Sequence, residues 1–394
     1  MKSISGLDDD RTIVRIDSVQ MRFLTLPLVA PFTTSFGTQT ERKALVISVR
    51  GKAPDASGAP APVTGWGECV ALADPYYSAE YTEGCAAMIK NYLVPALFAA
   101  QESGSQITAE TVAWHLRHIV GHPIAKAAVE MAVLDAQLRA QKQSLASYLG
   151  VVRATVPSGV SVGIMDSIPE LLATVADYQD QGYVRIKLKI KPGWDLEPVR
   201  AVRELIGDSM GLKVDANAAY SLLDAPLLRR LDEFNLLLLE QPLAEDDLVQ
   251  HAQLAKSMNT PICLDESIVS AKSAADAISL GAVDVINVKP ARVGGYLEAR
   301  KIHDLAQAHG KAAWCGGMLE TGLGRAANAA LAGMNGFTLP GDISASKRFY
   351  AEDITEPFEL EDGQIRIQQG PGVGVEPLDA MLKKFSTASA EIKR

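Results

Sequence analysis

Six charged side chains recur through the second half of this sequence at a near-constant interval: Lys187 and Lys189, then Asp215, Glu240, Asp265 and Lys289. From Lys189 onward the steps are 26, 25, 25 and 24 residues. Three carboxylates brought within a few ångströms of one another cannot all stay charged without a cation among them. An all-oxygen set with no neighbouring His or Cys suits Mg²⁺, with Mn²⁺ or another divalent cation as alternatives, and not zinc. Lysine, with a reference pKa of roughly 10.4, is a poor base near neutral pH. Neighbouring cations (Lys187, the metal and Arg292) and partial burial would disfavour the ammonium form of Lys189 or Lys289. Two lysines flanking a metal match one chemistry well, the removal of a proton next to a carboxylate, with the charge held as an enediolate.

Side chains this far apart meet only if the chain returns to the same height at every step. A parallel barrel does this, because one βα unit brings each strand end back to the same face. Short Val/Ile/Leu-rich runs alternate with amphipathic segments after residue 148, giving candidate strands at 156–164, 184–190, 212–217, 236–242, 261–267, 283–290, 311–318 and 337–342. Lys187 and Lys189 then point to one side of their strand, and Asn217 accompanies Asp215 in the same way. A doubly wound sheet is the alternative, but it would use fewer strands and carry a G-x-G-x-x-G after the first. None follows SGVSVG.

The residues ahead of the barrel have a different rhythm. Alternating segments at 12–26, 44–49 and 65–71 predict a three-stranded meander, with a mobile Gly/Pro/Ala-rich connection over 51–65. Helical spacing follows at 80–100, 108–120 and 124–140. The predicted organisation is therefore a disordered extension over 1–13, an α+β capping domain over 14–150 and an α/β barrel over 151–342. Residues 343–394 are too irregular for another barrel unit and are expected to return to the capping domain.

Composition narrows the function further. The 394 residues carry 38 basic and 47 acidic side chains, a net charge of −9, and are 47% hydrophobic. Such a chain would repel a phosphate backbone, and no basic stripe reverses this, so nucleic acid is excluded as a partner. No stretch approaches the roughly 18 apolar residues of a membrane span, and residues 1–14 contain no apolar targeting segment. The expectation is a soluble cytoplasmic protein. The four cysteines form no C-x-x-C, and Cys263 and Cys315 are expected to fill the barrel core.

The segments RIKLKI, VDAN, LEQP, CLDES and NVKPARVGG resemble the enolase superfamily, muconate-lactonizing branch, over nearly the whole chain. The resemblance implies a modified TIM barrel, (β/α)7β, with an N-terminal α+β capping domain completed by the C-terminal segment. It makes Asp215, Glu240 and Asp265 the Mg²⁺ ligands and Lys189 and Lys289 the acid/base pair. Strand seven, WCGGMLETG, lacks the histidine of mandelate-racemase relatives, and strand two lacks the glutamate of true enolases, so both sister branches are disfavoured. A closer resemblance, through LVAPFTTSFGTQ, GWGEC, SVGIMD, WCGGMLETGLGRAAN and LPGDISAS, is to o-succinylbenzoate synthases that also racemise N-succinylamino acids. It implies a small carboxylate substrate near Ser161 and the Gly316 and Gly317 turn, covered by the loop around Phe32 and Phe36. Lys187 and Asn217 support the site, and Arg292 resembles the arginine of members that racemise as well as dehydrate. It further implies a homo-oligomer, a dimer or an octamer. Departures fall in the N-terminal extension and the longer 51–64 connection.

Rival readings are a dipeptide epimerase or cycloisomerase of the same branch, and a barrel that has lost catalysis and serves as a binding protein. Dipeptide epimerases carry D-x-D after strand eight, whereas here Asp342 has Ser344 two positions on. His115, His118 and His122 fall at helical spacing but lack a completing ligand. GLGRAA lacks the Lys-Ser/Thr of a phosphate loop, although a helix N-terminus there could receive an anion.

Overall fold

A computed structural model of the chain describes residues 13–35, 37–55 and 57–394. The expected extension over 1–13 therefore lies outside the described residues, Ile13 excepted, and so does Phe36. Three long antiparallel strands open the fold: β1 (Arg15–Thr34), β2 (Gly37–Pro54) and β3 (Pro60–Cys69). Alternation along β1 buries Ile16, Val19, Met21, Leu24 and Leu26. The predicted mobile connection over 51–65 is mostly strand. Register runs from Gly51 opposite Val63 to Pro54 opposite Pro60, leaving a turn in which Asp55 Oδ1 accepts the Ser57 and Ala59 backbone N–H groups. Its composition pointed to a loop, but prolines are tolerated at a strand end where their missing N–H breaks no needed bond.

The last strand of the molecule, Ser386–Lys393, pairs antiparallel with β1 from Ser18 opposite Lys393 onward. The end of the C-terminal segment thus completes the capping sheet, whereas its hairpin over Leu360–Glu361 and Gln364–Arg366 pairs with Thr155–Pro157 in a separate sheet. Helical segments Thr82–Met88 and Val94–Glu102, joined by one π-helical turn, and Ala109–His115 cover the sheet with the long helix Pro123–Ala140. Helix Ala109–His115 stops short of the predicted span; Gly121 (φ 71°) and His122 (φ 56°) redirect the chain, so the three histidines share no helical face. Pro123–Ala140 is buried along most of its length, packed on β3 on one side and against the barrel on the other. Two glycines of GWGEC permit that approach: a Cβ at Gly65 would lie 2.2 Å from the Ala132 carbonyl oxygen, and one at Gly67 2.2 Å from that of Ala128.

The barrel follows as seven parallel strands: β4 (Gly159–Val162), β5 (Arg185–Lys189), β6 (Gly211–Asp215), β7 (Leu239–Glu240), β8 (Ile262–Leu264), β9 (Val285–Val288) and β10 (Ala312–Cys315). The eighth predicted strand is no ladder strand. Residues 337–342 join the two ends of the sheet through single bridges, Phe337 to Ala313 and Gly341 to Ser158. Pro340 has no N–H to continue a ladder there. Cys263 and Cys315 are fully buried, in keeping with core filling. Among the described residues no helix is long and apolar enough to cross a membrane.

The glycine contacts yield the first prediction. Gly67→Ala should destabilise the chain by at least about 2 kcal/mol, because the new methyl meets backbone that cannot swing away. Urea denaturation monitored by circular dichroism measures this, and an unchanged midpoint would refute the close-approach account.

Candidate active site

Strand pairing sets the height of each candidate side chain. Lys189 lies opposite Asp215, and Asp215 opposite Glu240. The next pairing steps aside: Glu240 lies opposite Cys263, two residues before Asp265. Asp265 therefore sits just past the end of β8, and its side chain still reaches the others. One carboxylate oxygen from each of Asp215, Glu240 and Asp265 lies within 4.8 Å of the other two, and all three side chains are buried. Donor type, spacing and burial fit a divalent cation.

Lysines crowd the same oxygens. Lys189 Nζ donates to Asp215 Oδ2 and Asn217 Oδ1, each at 2.6 Å. Lys289 Nζ donates to Asp265 Oδ2 at 2.6 Å from the opposite flank. Lys187 lies between Asp342 Oδ2 at 2.5 Å and Glu240 and Asp215, each at 3.3 Å. Arg292 Nη1 donates to Asp265 Oδ1, and its Nε to the Ile268 carbonyl. Burial alone would raise the Asp265 pKa, but Lys289 and Arg292 outweigh it and hold the carboxyl well below its usual range. Asp215 is held low by Lys189 and Lys187 against the same opposing burial. Glu240 moves up through burial and the nearby Asp215 charge.

The lysines answer to the same carboxylates. Burial does work against the Lys289 ammonium, but Asp265 and Tyr77 more than offset it, so the group is held well above the ordinary lysine range. Lys187 is raised likewise, burial being overcome by Asp342, Glu240 and Asp215.

The remaining predicted residues separate into two groups. Phe32, Ser161, Lys187, Lys189, Asn217, Lys289 and Gly317 line one pocket between capping domain and barrel. Ser161 Oγ is buried there without a hydrogen-bond partner. Gly316 and Arg292 lie outside its lining. A Cβ at Gly316 would fall 2.2 Å from Asn287 Oδ1 and 2.8 Å from Lys289 Cε, so this glycine lets Lys289 pass. Arg292 lines a second cleft on the far side of Tyr77.

Several site residues were not among those the sequence pointed to, and Asp342 entered there only as half of an incomplete D-x-D. Tyr77, from the capping domain, donates its hydroxyl to Asp265 and accepts from Lys289 Nζ, both at 3.2 Å. Asp342 binds Arg185 at 2.7 Å through Oδ1 as well as Lys187 through Oδ2. Gln241 Oε1 accepts the Asp265 and Ser267 N–H groups, which pins the turn after β8. Glu266, pushed up to about 8 by burial and the Asp265 charge, accepts from Asn217 Nδ2. Backbone strain gathers here too: Asn217 (φ 42°), Ala218 (φ 60°), Gln241 (φ 37°) and Leu319 (φ 57°) are non-glycine residues in left-handed conformation.

Two family models cover most of the chain. Residues 18–150 match the mandelate racemase / muconate lactonizing enzyme N-terminal domain, and residues 170–381 match the enolase C-terminal domain-like family. The chain is 58% identical over 379 residues to an N-succinylamino acid racemase from Amycolatopsis sp., covering 96% of this chain and 100% of that one. It is 41% identical over 376 residues to an o-succinylbenzoate synthase from Bacillus subtilis, covering 95% and 98%. A crystal structure of an enolase superfamily member from Listeria innocua superposes with a TM-score of 0.89 at 40% identity, covering 96% of this chain and 99% of that one.

The triad generates a direct test. A divalent cation at about 100 times its Kd should stabilise the folded chain by roughly 2.7 kcal/mol, seen as a rise in Tm. Asp265→Asn should lose most of that rise; a variant stabilised as much as its parent would remove Asp265 from the cation site.

Proposed function

Because the chain belongs to the mandelate racemase / muconate lactonizing enzyme group of the enolase superfamily, we propose that it is an N-succinylamino acid racemase and o-succinylbenzoate synthase working through Lys189 and Lys289. The observation that carries this reading is the placement of the two ammonium groups. Each is hydrogen-bonded to a different carboxylate of one triad, Lys189 to Asp215 and Lys289 to Asp265, on opposite flanks. Two lysines so placed face opposite sides of an α-carbon held between them.

A divalent cation, Mg²⁺ by preference, would be held by Asp215, Glu240 and Asp265 and would supply positive charge for the negative charge that develops on the substrate carboxylate as the α-proton leaves. Lys189, once neutral, takes the α-proton from one face, and Lys289 delivers a proton to the other, which inverts the centre. In dehydration Lys189 takes the proton and passes it to the departing hydroxyl, so that water leaves, while Lys289 remains a cation. Lys187 has a different role. With three carboxylates around it, it is a fixed positive charge and not a base. Ser161, Gly317 and Phe32 form the walls that orient the substrate between the lysines.

The dipeptide epimerase reading loses its support at Asp342. Arg185 and Lys187 already balance its charge, and Ser344 stands where the second carboxylate of a D-x-D would be. All four cysteines are free and buried, which suits a cytoplasmic enzyme.

The test uses both enantiomers of an N-succinylamino acid in D₂O with Mg²⁺, beside a dehydration assay on the o-succinylbenzoate precursor. Each enantiomer should gain deuterium at the α-carbon with inversion. Lys189→Ala and Lys289→Ala should each lower racemisation by about 10³-fold or more, with cation affinity nearly unchanged. Racemisation surviving in either variant would defeat the two-base proposal.

A further inference from the structure

The loop Gly316–Thr321 follows β10 and contributes Gly317, Met318, Leu319 and Glu320 to the pocket wall. It then enters the helix Gly322–Ala332, whose N-cap is Thr321. An N-cap threonine ordinarily turns its own oxygen back onto the helix N–H groups, but Thr321 makes no such bond. Its hydroxyl points the other way and donates to Glu68 Oε2 at 2.7 Å, while its backbone N–H donates to Glu68 Oε1 at 3.0 Å. Glu68 Oε2 also accepts the Gly324 N–H at 2.8 Å. The carboxylate that caps this barrel helix therefore comes from β3, 253 residues earlier in the chain.

Glu68 is only 4% exposed, so its charge is met by these three donors and not by water. The fit leaves no slack: a Cβ at Gly324 would lie 2.8 Å from Glu68 Oε2 and 2.8 Å from Glu320 Cγ. Behind the grip the loop holds a strained shape. Leu319 is left-handed, and the Glu320 carboxylate folds back to accept the Met318 N–H at 2.9 Å. Charge-assisted bonds to a buried carboxylate are of the size needed to hold such a backbone in place.

We propose that Glu68 is a positioning residue for substrate recognition: the capping domain, through this carboxylate, fixes the Gly316–Thr321 loop that forms one wall of the pocket. The proposal rests on the reading of that pocket as the N-succinylamino acid site. Glu68 lines neither the pocket nor the carboxylate triad, so its loss acts on binding and spares the lysines. Gln cannot replace it, since in either orientation its amide NH₂ would confront a backbone N–H, that of Gly324 or that of Thr321, with another donor.

Two measurements on the full-length enzyme separate this proposal from the function itself. In Glu68→Gln, hydrogen–deuterium exchange read by mass spectrometry should accelerate in the peptide carrying residues 316–324, whatever reaction the enzyme catalyses. KM for the N-succinyl substrate should rise at least about tenfold, with a much smaller change in kcat. Thr321→Val, which removes one donor and keeps both backbone bonds, should shift the same two readouts in the same direction by less, and serves if Glu68→Gln does not fold. Unchanged loop exchange, or a loss of stability with native KM, would overturn the proposal. A parent enzyme without racemase activity would instead overturn the function and leave the exchange result standing.

Discussion

Charge buried away from water has to be balanced within a few ångströms, and the top of this barrel is arranged around that requirement. Asp215, Glu240, Asp265 and Asp342 are met by Lys187, Lys189, Lys289, Arg185 and Arg292, with nearly every one of these side chains almost completely buried. Strand order follows from this need as much as from hydrophobic packing. A one-residue slip of β6 against β5 would turn Asp215 out of the barrel and leave Lys189 buried without a partner. The same crowding explains why glycine stands at position 316, where a side chain would strike both Asn287 and Lys289.

The capping domain meets the barrel by a related device. Its buried acids serve as end caps: Glu68 for helix Gly322–Ala332, and Glu130 for helix Tyr296–Ala308, whose Tyr296 and Leu297 N–H groups it accepts at 3.0 and 2.9 Å. Within the capping domain Glu80 does the same for Pro123–Ala140 through Ile124 and Ala125. The N-terminal milieu of a helix favours an anion, so each contact is directional as well as attractive. The helices that follow β9 and β10, the strands leading into Lys289 and the pocket loop, are both held in this way. The anion suggested by the GLGRAA sequence is thus the protein's own carboxylate.

What could be seen in the sequence and what could not divide along physical lines. The lysines and three carboxylates were legible because one βα unit has a nearly constant length, and types at that pitch carry their own chemistry. Tyr77 and Glu68 were not, because their partners lie 188 and 253 residues away and only the docking of two domains brings them together. Composition misled over residues 51–65, where a ladder between long strands persists through prolines and glycine. At Pro340 the reverse held, and a chemically obvious break was passed over as strand.

The pairing of Ser386–Lys393 with β1 has a consequence for biogenesis. β1 to β3 leave the ribosome before the barrel does, yet the outer edge of β1 stays unpaired until Ser386–Lys393 has been made. The barrel, whose strands are contiguous between these two events, can close while the earlier domain still waits for its last strand. β1 thus precedes the barrel strands in the chain but is covered after them, and during that interval its open edge is exposed to pairing with the wrong chain.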